Sequence, residues 1–200
     1  MPCKDYCDYG KNECRPPHKP EKHKKHHDCH PHPKTETILK CGTAASIPPI
    51  TGSVLNGAAG SSNSYGSNVV ANVALDTTGL VDPTVKIDFS SLISFRTTDA
   101  NNYSLRLAFR LSRVCDGNHI PLGTWTFEKT SNEPDAIFVT GEYVQETDSF
   151  SFSYCQCETC PGCCYYVVEL CEQYPYNISF VDISGVTLSA LAVGQKARHY

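Results

Sequence analysis

The sequence predicts an all-β protein: an antiparallel β-sandwich, of jelly-roll type, behind an extended N-terminal arm rich in Cys, His and Lys. Two observations predict it. Between Tyr103 and Arg113, Tyr103, Leu105, Leu107, Phe109 and Leu111 alternate with mostly Ser and Arg; so long a period of two fits a strand and not a helix. Eight or nine strand-like segments then follow one another at short, regular spacing, the pattern of a sandwich.

The elements follow in order. Residues 1–36 form the arm, which has almost no aliphatic side chains and carries Pro16-Pro17-His18-Lys19-Pro20 and His23-Lys24-Lys25-His26-His27. Such a composition buries no core and is expected to be flexible or extended. The boundary falls near Pro33–Thr37, and the body is expected over 37–194 with a tail at 195–200. A Gly/Ser/Asn-rich stretch at 52–68 reads as a loop. Val69, Ala71, Val73 and Leu75 carry the period of a half-buried strand. Further strands are expected at Val85–Phe89 with Leu92–Phe95 following on from it, and at Tyr103–Arg113, Thr124–Phe127, Ala136–Thr140 and Ser149–Tyr154. The last three are Tyr165–Leu170, Ile178–Ile183 and Val186–Leu191.

Charge is uneven. Residues 1–40 hold nine Lys+Arg against six Asp+Glu (+3), and the other 160 hold eight against fifteen (−7). A basic arm on an acidic body favours contact between copies, modest at physiological salt. Nucleic acid is a poor partner for an acidic body. There is no run of eighteen apolar residues and no apolar signal region after Met1, so neither a membrane span nor a secretory leader is expected. Twelve cysteines nevertheless suit an oxidising setting. The thiols hold metal, stay reduced, or oxidise once the producing cell lyses.

Four cysteines lie in the arm (Cys3, Cys7, Cys14, Cys29) and five in Cys155-Gln-Cys157-Glu-Thr-Cys160-Pro-Gly-Cys163-Cys164, with Cys41, Cys115 and Cys171 elsewhere. The 155–164 cluster joins two strand segments, so it is expected at a β-hairpin tip with Pro161-Gly162 as its turn. A bridge closing about ten residues there contributes roughly 2.7 kcal/mol in the chain-entropy account. Adjacent Cys163 and Cys164 point to opposite sides of an extended strand, which lets one bond within the subunit while the other faces outward. Cys41 and Cys115 stand at strand ends, as buried small hydrophobes or as receivers of a thiol.

The rival chemistry is metal binding. Cys157, Cys160 and Cys163 have ligand-like spacing, and six of eight histidines fall within 18–32, including His26, His27 and His30. Thiolate and imidazole together suit zinc or copper. Catalysis is not expected: there is no nucleophile elbow, phosphate loop or His-Glu-x-x-His. Asp76, Asp82 and Asp88 read as solvated or turn carboxylates, His119 as a turn residue, and Arg106, Arg110 and Arg113 as the polar face of one strand. No cofactor is expected.

Ile38-Leu39-Lys40-Cys41-Gly42, Leu80-Val81-Asp82-Pro83-Thr84-Val85-Lys86-Ile87-Asp88-Phe89 and the Cys-x-Cys cluster beside Cys163-Cys164-Tyr165 resemble a family of cysteine-rich proteins of clostridial spore-formers, over roughly 37–192. In architecture the chain also resembles subunits of bacterial endospore appendages, jelly rolls whose flexible N-terminal connector bonds neighbouring subunits through cysteines. The resemblance implies that Cys3, Cys7, Cys14 or Cys29 reaches Cys41, Cys115 or the 155–164 cluster of another copy. This arm departs from that pattern in being long, His/Lys-rich and without an adjacent Cys pair. The resemblance further implies a structural protein of the spore surface, made in the mother cell without a signal peptide. Its expected partners are itself and other spore-surface proteins.

Overall fold

Side chains that alternate along the sequence alternate between solvent and a shared core in two antiparallel sheets. The computed structural model describes residues 34–51, 68–132, 143–157 and 162–197. Its strands are β1 (Thr35–Cys41), β2 (Thr43–Ala44), β3 (Ile50–Thr51), β4 (Asn68–Asp76) and β5 (Leu80–Thr97). They continue with β6 (Asn102–Cys115), β7 (Asn118–Asn132), β8 (Gln145–Gln156), β9 (Cys163–Tyr176) and β10 (Ile178–Lys196). The first sheet runs β1-β10-β5-β8, with β3 also on β10, and the second runs β2-β4-β9-β6-β7. All pairings among these strands are antiparallel, and no described residue is helical. The chain is a β-sandwich.

The core is the inward half of each alternation. Ile87, Phe89, Ile93 and Phe95 from β5 meet Leu105, Leu107, Phe109 and Leu111 from β6, with Val168 and Leu170 from β9 and Leu188, Ala190 and Ala192 from β10. Each fully buried Leu, Ile or Phe contributes about 1.5–3 kcal/mol relative to exposure.

Turn chemistry sets the register. Asp116 and Gly117 join β6 to β7 with φ of 50° and 78°, the left-handed pair of a two-residue type I′ turn whose twist matches the strands. His119 therefore lies on β7 and not in the turn. One residue, Asn177 (φ 52°), carries the chain from β9 in the second sheet to β10 in the first. Its side chain holds Asn102 O, and its carbonyl accepts from Thr98 N.

Several expected segments merge or shift. Val85–Phe89 and Leu92–Phe95 are one strand, because Ser91 occupies an inward position and keeps the alternation unbroken. Ile178–Ile183 and Val186–Leu191 are likewise β10, bulged between Ser184 and Thr187 at Gly185 (φ 57°). In β4 a bulge between Val69 and Ala71 turns Val69 outward and buries Val70, since an extra residue reverses the alternation beyond it. The expected strand at 136–140 and the loop at 52–67 lie outside the described residues.

Candidate functional site

The cysteines were expected at a hairpin tip. The structure places them differently: β8 belongs to the first sheet and β9 to the second, so the 155–164 segment crosses between sheets and joins no hairpin. Two consecutive strands in a sandwich pair only if they share a sheet, a choice that local sequence does not encode.

One bridge is formed in the described residues, Cys115–Cys164, with Cα atoms 4.5 Å apart. It joins directly opposed residues at the ends of β6 and β9. The two are 49 residues apart in sequence, and a loop of that size is worth about 4 kcal/mol in the chain-entropy account. Cys164 faces inward and is buried, while Cys163, opposite Asp76 of β4, is exposed and free. The expected opposition of this adjacent pair thus holds, and the inward thiol is the one bonded within the subunit.

Beneath the bridge lies Arg113. Strand parity puts it with Leu111 on the inward side and not with Arg106 and Arg110, which corrects its expected place on the polar face. Its Nη1 donates to Gln156 Oε1 across the sheets at 3.3 Å, and its Nε is buried without a partner. Tyr166, buried opposite Arg113, has its hydroxyl pushed above the ordinary tyrosine range by burial, partly offset by the Arg113 charge and hydrogen bond. Arg110 instead pairs with Glu169 at 3.0 Å on the outer face, and Arg106 stacks over Tyr174.

The remaining described cysteines are free. Cys41, Cys155, Cys157 and Cys163 are exposed. Cys171 is half-buried in a bulge of β9, where its thiol donates to Ala108 O at 3.3 Å and burial pushes its pKa up. Of the thiolate/imidazole set, Cys157 and Cys163 are described, and the described residues contain no group of three His, Cys, Asp or Glu able to hold a metal. Cys160, His26, His27, His30 and the arm thiols Cys3, Cys7, Cys14 and Cys29 lie outside the described residues.

The three carboxylates are local. Asp76 accepts from Thr78 N and Oγ1, which lowers its pKa. Asp82 adopts φ 48°. Asp88 pairs with Lys86 at 2.9 Å and accepts from Ser153; burial raises its pKa, but these two partners outweigh it and the net shift is downward.

Cys41 and Cys155 share the outer face of the first sheet. The register runs Cys41–Ser189–Asp88–Ser153 across four strands, and Cys155 lies two residues beyond Ser153 on β8. Three interstrand steps and one two-residue step put their Cα atoms about 16 Å apart, far beyond the roughly 7 Å limit of a disulfide.

Sequence comparison gives this sandwich a family. The domain of unknown function (DUF4489) matches residues 35–193. The chain belongs to that family. No curated protein matches it. Among solved structures, that of infectious bursal disease virus Gx strain is 7% identical over 81% of this chain, with a TM-score of 0.28. This chain spans 40% of that viral chain's length, and a likeness at this score says nothing about function.

Proposed function

We propose that the chain is a structural, self-associating protein of the spore surface or of spore appendages, locked by disulfides between copies. The observation that carries this reading is the placement of the free thiols. Among the described residues, a body already closed by one internal bridge presents four more cysteines to solvent. In a reducing cytosol exposed thiols form no lasting cross-links, whereas an assembly that oxidises after synthesis gains covalent durability from them. The arm thiols Cys3, Cys7, Cys14 and Cys29 are the proposed reaching partners. The strand orders β1-β10-β5-β8 and β4-β9-β6-β7 support a jelly-roll reading of the sandwich. The spore setting rests on the sequence resemblance.

Electrophoresis of alkylated protein with and without reductant tests the proposal. A ladder of covalent multimers that collapses to 22.0 kDa on reduction is the expected result. Monomer in both lanes, with thiols released only by a chelator, overturns it and favours a zinc- or copper-binding module.

A further inference from the structure

The outer face of the first sheet has the composition of a surface that meets its own copy. Its neighbouring side chains are mostly small hydroxyls: Ser90 bonds Thr187, and Ser94 bonds Thr147. Leu39, 64% exposed, lies directly opposite half-buried Leu191 on this face, with Val193 one step along. The charges cancel, Lys86 and Arg96 against Asp88 and Asp182. That matters because residues 41–200 carry a net −7, and a neutral face lets two copies approach without that repulsion. The outer face of the second sheet carries an acidic excess instead, Asp76, Glu128, Glu169 and Glu172 against Arg106 and Arg110.

The face is also the right size. Strands β10, β5 and β8, at about 4.8 Å spacing, run together over Val85–Arg96, and β1 lies beside them only as far as the row of Asp88; the face offers roughly 700 Å² per copy, near the standard contribution to a stable interface.

We propose that this face dimerises with a second copy about a two-fold axis, and that reciprocal Cys41–Cys155 disulfides, two per dimer, lock it. The proposal rests on the cross-linked reading above and names its surface and its thiols. An axis lying in the interface, perpendicular to the line joining Cys41 and Cys155 and passing through its midpoint, places Cys41 of each copy on Cys155 of the other. That is the reciprocity a two-fold contact demands. Leu191 and Asp88 then both lie near the axis and meet their counterparts, and the two facing Asp88 carboxylates are held by their Lys86 partners. The small Ser and Thr side chains let the sheets approach to the roughly 10 Å of face-to-face packing, the range in which facing Cβ atoms come within disulfide reach. Each bridge forms as two thiols lose two electrons and two protons to dioxygen. The two bridges together reduce one O2 to two waters.

The test uses full-length Cys41→Ser and Cys155→Ser chains, oxidised in air separately and as an equal mixture, then alkylated and mapped by fragmentation mass spectrometry without reduction. The Cys41–Cys155 linked peptide is expected in wild type, absent from either variant alone, and restored by mixing, because each variant supplies the thiol the other lacks. Cys157→Ser should leave it intact. In reductant, Leu39→Glu should weaken dimerisation at least tenfold by sedimentation, with an unchanged circular dichroism spectrum. If multimers form but neither wild type nor mixture yields the linked peptide, this surface is wrong and the cross-linked reading stands. If no multimers form at all, both fall.

Discussion

The two flanks of the sandwich close the same core by different means. Along β7 and β8 the closure is made by side chains. Trp125 stacks on Phe152 with ring centroids 4.1 Å apart, Phe150 stacks on Phe109 at 4.8 Å, and Lys129 ties β7 to Asp148 of β8 at 2.9 Å. Gly123 leaves the space that the Trp125 ring fills. Along β1 and β2 the closure is made by the backbone. The chain passes from the first sheet to the second within one residue, Gly42, whose N–H donates to Leu188 O of the first sheet. A Cβ there would lie 2.5 Å from Asn72 O of the second sheet. An aromatic flank tolerates adjustment because side chains repack, whereas a backbone crossing at contact distance has no slack.

That contrast can be broken by substitution. The largest effect is expected on the aromatic flank: Phe152→Ala should destabilise by about 3–5 kcal/mol in urea unfolding, since it removes a buried ring from both Trp125 and Phe89. A loss below about 1 kcal/mol would mean that the neighbouring rings collapse into the space. Gly42→Ala, the smallest possible addition, should cost about 1–3 kcal/mol because the obstructing atom is backbone. A neutral result would show that the β1–β2 corner has the slack denied to it above. The third effect is smaller and opposite in sign. Ser91 faces inward on β5 beside Phe150, 3% exposed, with its hydroxyl unpartnered. Ser91→Ala should raise the unfolding midpoint by an amount equivalent to up to about 1 kcal/mol, because it removes a desolvated group that gains nothing in the fold.

Much of this was legible one strand at a time. Leu105, Leu107, Phe109 and Leu111 are buried where their alternation put them, and Asp116-Gly117 turns the chain where such a pair should. Bulges defeated the reading at Val69, because one inserted residue reverses every later side chain while leaving composition unchanged. At Arg113 strand parity outweighs charge, so a guanidinium takes an inward position. Its position two residues beyond Leu111 carried the signal, and Gln156 and Tyr166 explain how a guanidinium is held there.

The candidate site was less legible. Of the adjacent pair, sequence alone established that Cys163 and Cys164 face opposite ways, since an extended chain permits nothing else. It also established the all-β class, because a period of two over so many segments suits only strands. Which thiol finds Cys115, that β8 and β9 part into different sheets, and that Cys41 and Cys155 share one neutral face were decided by the tertiary structure alone. The reason is physical: alternation fixes which side of its own sheet a residue takes, but strand order is set by long-range pairing and the closing of a common core.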